Sequence, residues 1–146
     1  MPITFQAENH LSFPSFVKRR KTAAWIKQVA EKYGKKAGDV NYLFCDDERI
    51  LSVNKQYLSH DYYTDIITFD FSGGGSVSGD IFISLDTVKS NSQKYQTDFV
   101  EELHRVIIHG VLHLCGLKDK SAEEAEKMRK AENEALGLLD FKTKQS

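Results

Sequence analysis

The stretch that most constrains this chain is Val106 to Gly116, VIIHGVLHLCG, an apolar run carrying His109 and His113 four residues apart. On an α-helix four residues advance about 400° and about 6 Å, so both imidazoles leave the same face, one turn apart. That is the spacing at which two imidazoles bind one metal ion. Gly116 follows three residues after His113, where a glycine takes the left-handed conformation that ends a helix. If the helix ran on, Asp119 would lie about 9 Å further along the axis and point elsewhere. A stop at Gly116 folds the chain back and lets the Asp119 carboxylate meet the two histidines. Two imidazoles and a carboxylate leave one position open for water, the pattern of a catalytic rather than a structural site. A pair of histidines on an apolar helix can also be plain core or surface residues; the glycine stop and the carboxylate beyond it favour the metal. Cys115 sits about 200° round the helix from His113 and is assigned to the core as a thiol. His104 is about 140° off the ligand face and is assigned a structural place or the edge of the site.

HGVLHLCG, preceded by ELHRVII, resembles the signature of the YbeY family, bacterial metal-dependent single-strand endoribonucleases of ribosomal RNA maturation. The family pattern is HGxLHLxGxxH, with three histidines holding one zinc; here Asp119 stands at the third position. The resemblance implies one Zn2+ held by His109, His113 and Asp119. The harder oxygen donor leaves room for another divalent metal, and its charge makes the metal less Lewis acidic than three imidazoles would. A second stretch, VNKQYLSHDYYTDIITF from Val53 to Phe69, resembles the family block LNxxYRxxDxxTDVLSF. Asn54, Tyr57, Asp61, Thr64, Asp65 and Phe69 match, while Leu58 stands where the family has an arginine implicated in activity. A third piece, SGDIFIS from Ser78 to Ser84, resembles the family's GDI strand. The family's partners would then be single-stranded RNA, ribosomal RNA and the ribosome or its proteins, in the cytoplasm. Its work would include maturation of the small-subunit 3′ end and ribosome quality control.

A length of 146 residues suits a single domain, 1–146. No apolar run reaches the ~20 residues of a membrane span, and the N-terminus lacks the charged-then-apolar pattern of a signal peptide. Cys45 and Cys115 lie far apart without CxxC spacing, as expected of free thiols in a reducing compartment. The formal net charge of −1 means that any RNA contact must come from local patches rather than global charge. Lys18, Arg19, Arg20 and Lys21 form one such patch, which is otherwise simply a solvated helix face.

Alternation in Ile3–Ala7 predicts a short strand. The basic run opens an amphipathic helix to about Tyr33, with Val17, Ala24, Trp25, Gln28 and Val29 on its buried side. Gly34 to Asp39 is expected to turn, Val40 to Cys45 to form a strand, and Asp46-Asp47-Glu48 to open a helix reaching about Leu58. Ser59 to Tyr63 is a polar connector. Asp65 to Phe71 is expected as a central strand, joined through the Ser72–Ser76 glycine loop to a strand over Gly79–Ser84. Helices are expected from Asp86 to about Tyr95, from Phe99 behind a Thr97-Asp98 cap, and from Ser121, whose spacing to Glu124 makes a capping box. The tail from Phe141 is polar. The sum is α+β: a mixed sheet of about four strands with about five helices.

Gly110 occupies the place where HExxH peptidases carry a glutamate base, which argues against peptide hydrolysis by that route. Phosphodiester hydrolysis needs no such glutamate, because a divalent ion polarises a phosphoryl oxygen and lowers the pKa of its water. Candidate catalytic helpers are Asp65 and Asp80 near strand ends, and Arg105 one turn before His109. Their structural alternatives are holding a ligand or capping a turn for Asp65, support of a histidine ligand for Asp80 and an ion pair with Glu101 for Arg105. Arg105 or Lys118 is expected to contact phosphate in place of the missing arginine at Leu58. Two other functions compete: a non-haem iron oxygenase, which also uses two histidines and a carboxylate, and a ribosome-associated binding protein whose metal is structural.

Overall fold

The computed structural model describes residues 3–58 and 64–139. Its elements run β1 (Ile3–Ala7), α1 (Arg19–Lys32), β2 (Lys36–Cys45), α2 (Asp47–Leu58), β3 (Ile66–Asp70), β4 (Ser76–Ser84), α3 (Leu85–Lys94), α4 (Phe99–Leu114) and α5 (Ala122–Leu136). The sheet order is β1-β2-β4-β3, with β1 and β4 each parallel to β2 and β3 antiparallel to β4. This is the mixed four-stranded α+β architecture expected. The polar connector over Ser59–Tyr63 and the tail from Phe141 lie outside the described residues.

Three expectations are corrected. The strand after the glycine-containing turn begins at Lys36 rather than Val40, because the chain pairs with Ser76 and Val77 before a register shift between Ala37 and Val40. β3 lies at the edge of the sheet, not its centre, since the hairpin gives it β4 on one side while β2 takes β4's other side. On α1, Ala24 and Gln28 are exposed, and the buried stripe is Thr22, Trp25, Ile26 and Val29 with Ala23 and Ala30. That set follows the i, i+3, i+4, i+7 rule more closely than the one inferred from sequence.

The period of two along each strand divides the sheet's faces. Val40, Tyr42 and Phe44 of β2 join Val77, Ile81 and Ile83 of β4 in the main core, which packs beneath α1 and α4. Asn41, Leu43 and Cys45 alternate to the other face, where α2 covers a smaller core of Cys45, Ile50, Val53 and Ile67 with Phe69 and Phe82. The fully buried Tyr42 hydroxyl donates to the Ile107 carbonyl of α4 (2.9 Å), and burial holds its pKa well above the usual phenol value. Gly110 lets α4 lie close on the sheet, for a Cβ there would stand 2.9 Å from Ile81 Cδ1 and 3.2 Å from Ile66 Cδ1. The residue between the two histidine turns is therefore a packing glycine, in keeping with the absence of a base at that position.

Candidate metal centre

α4 starts behind Asp98, whose side chain accepts from the Val100 N–H, and ends at Cys115. Gly116 has φ +108°, its N–H donates to His113 O, and the Leu117 N–H reaches back to Leu112 O at 3.1 Å. These two bonds are the Schellman closure expected of a left-handed glycine just past a helix end. The chain reverses there and enters α5 through a complete capping box between Ser121 and Glu124. The reversal brings Asp119 back over α4, with its Oδ2 3.3 Å from His109 Nε2. Donors sharing one tetrahedral ion at about 2.0–2.1 Å lie about 3.3–3.4 Å apart, so this separation suits two ligands of one metal.

His109, His113, Asp119 and Asp65 line one cavity of about 510 Å³, bordered by β3, α2, α4 and α5. The other ring nitrogen of His109 is held from behind: Nδ1–H donates to Glu132 Oε2 at 2.6 Å, and Arg105 Nη1 donates to Glu132 Oε1 at 3.1 Å. A carboxylate on Nδ1 fixes the tautomer that leaves the Nε2 lone pair facing Asp119, the usual support of a metal-binding histidine. Burial lowers the His109 pKa, but the Glu132 bond and charge, with Asp119 and Asp65, outweigh it and leave the value raised. Burial conversely raises Glu132, and the bonds from His109 and Arg105 outweigh that to leave it lowered. Burial also raises the Asp65 carboxyl, against the pull of His109. The donor types, the Nε2–Oδ2 separation and the carboxylate behind His109 all fit a metal. His113 stands one turn further on, exposed, and lines the same cavity wall.

Glu132 was not singled out from sequence. Its signal was present, for it falls four residues after Met128 on the buried stripe of α5 with Ala131, Ala135 and Leu136, where a carboxylate needs a buried partner. Arg105 pairs with Glu132 across helices instead of with Glu101. Asp80 is not brought to the cavity. It shares the sheet face of Phe82 and accepts from Asn41 Nδ2 at 3.1 Å, opposite the face that packs on α4. Lys118 is exposed and lies outside the cavity lining. His104 is buried and structural, its Nδ1–H donating to Val100 O at 2.7 Å between the Phe16 and Trp25 rings. Cys115 is a free thiol packed against the main core, with burial pushing its pKa up to about 11.

Away from the cavity, Glu8, His10 and Asp46 bring one ligand atom each within 4.8 Å of one another beyond the ends of β1 and β2. They have local explanations. Arg49 pairs with Glu8, His10 pairs with Asp46, and Asp46 Oδ1 caps α2 through the Arg49 N–H.

A helix pair on a mixed sheet, gathering imidazoles and carboxylates into one cleft, is the frame of a metal-dependent hydrolase. The chain belongs to the family described as endoribonuclease YbeY, which it matches over residues 5–140. Endoribonuclease YbeY of Parabacteroides distasonis is 57% identical over 139 residues, covering 95% of this chain and 96% of that protein. The Bacteroides fragilis protein of the same name is 56% identical over 138 residues, covering 94% and 98%. The solution structure of a Thermotoga maritima protein superposes with a TM-score of 0.63 at 29% identity, covering 92% of this chain and 89% of that one. Among the described residues no helix is long and apolar enough to cross a membrane.

Proposed function

We infer that this chain is a metal-dependent endoribonuclease of ribosomal RNA processing that cuts single-stranded RNA, residues 1–146 acting as one catalytic domain. The observation that carries this is the convergence of His109, His113, Asp119 and Glu132 on one cavity in a chain of this family. The finer assignments are Zn2+ as the metal, the small-subunit 3′ end as substrate, the ribosome as partner and the cytoplasm as the place of action. Family membership favours the nuclease over the oxygenase and over a structural metal.

His109, His113 and Asp119 would hold the ion, which supplies a Lewis acid for a phosphoryl oxygen and a more acidic water. Glu132 keeps the proton of His109 on Nδ1, and Arg105 keeps Glu132 in place. Asp65 sits in the cavity with its pKa raised by burial, closer to the range useful for proton transfer than an exposed aspartate. We assign the base to Asp65. Arg105 acts through Glu132, and Asp80 has no part in the chemistry.

The test uses end-labelled single-stranded RNA with zinc-loaded wild type and His113→Ala purified side by side. Cleavage by wild type that disappears in the variant supports the metal nuclease and excludes a contaminating RNase. A folded, fully metallated wild type that leaves the RNA intact would favour the binding-protein alternative.

A further inference from the structure

The cavity is short of free positive charge. Asp65, Glu102, Asp119 and Glu132 line it against two guanidiniums, Arg105 and Arg129, so one divalent ion only brings these groups to balance. A phosphodiester entering this space is an anion and needs a cation not already engaged. Arg105 is engaged: its Nη1 lies 3.1 Å from Glu132 Oε1 and its side chain is 13% exposed. Arg129 is different. It lies on α5 three residues before Glu132, on the same helix face, exposed and reaching the cavity, and it makes no hydrogen bond or ion pair with the described residues. Its charge is felt in the cavity, where Arg105 and Arg129 both oppose the rise that burial imposes on Glu102.

We propose that Arg129 is the RNA-backbone contact of this site, its guanidinium gripping a phosphate beside the scissile one while Arg105 is confined to holding Glu132. The proposal rests on the endoribonuclease reading and names the group that binds its substrate. A guanidinium suits the task because its fork of N–H donors matches two phosphate oxygens and its charge persists at every working pH. Without Arg129 the metal-loaded cavity carries a net negative charge and repels the phosphate.

The experiment compares zinc-loaded wild type, Arg129→Gln, Arg129→Lys and Arg105→Gln on one labelled single-stranded RNA over a range of salt. The readouts are kcat, KM, bound zinc, Tm and fluorescence anisotropy recorded before cleavage has progressed. Arg129→Gln is expected to weaken binding about tenfold or more, as loss of a charge-assisted bond does. The slope of log affinity against log salt should flatten by about 0.7, the share of one phosphate in a single strand. Zinc content and Tm stay at wild-type values, and Arg129→Lys restores the slope. Arg105→Gln instead loses zinc. Wild-type affinity and slope in Arg129→Gln would overturn the proposal, as would loss of zinc and Tm in step with binding. A wild type that binds the RNA without cutting it defeats the nuclease reading alone, because the anisotropy titration still decides the role of Arg129.

Discussion

Among the described residues, two histidine–carboxylate hydrogen bonds are of nearly equal length and unequal consequence. His109 meets Glu132 at 2.6 Å with side chains 22% and 7% exposed, while His10 meets Asp46 at 2.8 Å with side chains 60% and 25% exposed. In each, the second carboxylate oxygen is taken. Glu132 Oε1 receives Arg105 from the neighbouring helix, and Asp46 Oδ1 receives the Arg49 N–H at the start of α2. The first pair is shielded and tied across two helices, so it sets the direction of a ring inside a cavity. The second is open to water and secures a helix end. Contact length alone does not separate a positioning pair from a surface pair; what lies behind the carboxylate does.

The largest break in that comparison comes from Glu132→Ala, which strands Arg105 and frees the His109 ring. Metal affinity should fall about 10–100-fold by chelator competition. Unfolding in urea should show about 3 kcal/mol lost, as expected when one partner of a buried pair is removed. Asp46→Ala should cost about 1 kcal/mol by the same measurement, the value of a helix cap, and leave zinc binding in the cavity unchanged. Equal zinc loss in both variants would erase the distinction drawn between the pairs.

Titration of the metal-free protein sharpens it. The fold raises the His109 pKa, so the stability this group adds is complete below about 6.5 and is lost as pH climbs through the raised value. The fold lowers Glu132, whose contribution is complete above about 4.3 and lost as pH falls through the lowered value. Tm against pH should therefore decline on both sides, and Glu132→Gln should flatten both limbs. Asp46 is also lowered, first by the Arg49 N–H and then by His10, so Asp46→Asn should blunt only the acid limb. The smallest effect belongs to His10→Ala, whose exposed pair should move stability by no more than about 0.5 kcal/mol.

Much of this arrangement was legible in the sequence where local rules act alone. The i, i+4 histidines, the Gly116 stop and the Ser121–Glu124 box depend on a few adjacent residues, and each appears in the structure as expected. What escaped depends on how distant segments meet. Glu132 reads as one more glutamate on a charge-rich helix until α5 folds back along α4. Asp80 looked available to the histidines because a strand end fixes position but not face, and the face follows from the pairing of β4 with β2. The same pairing places β3 at the sheet's edge, although its β-branched, aromatic composition suits an interior strand equally well.

Chain order adds a consequence of the Glu132 contact. The two imidazoles, Asp119 and Glu132 all follow β4 in the chain, and of the four the carboxylate that turns His109 comes last. During synthesis, at about 5–20 residues per second, the histidines emerge before the group that orients one of them. A nascent chain halted between Asp119 and Glu132 would carry every metal donor and still lack an oriented site. The oriented site thus forms only after α5 has followed α4 out of the ribosome.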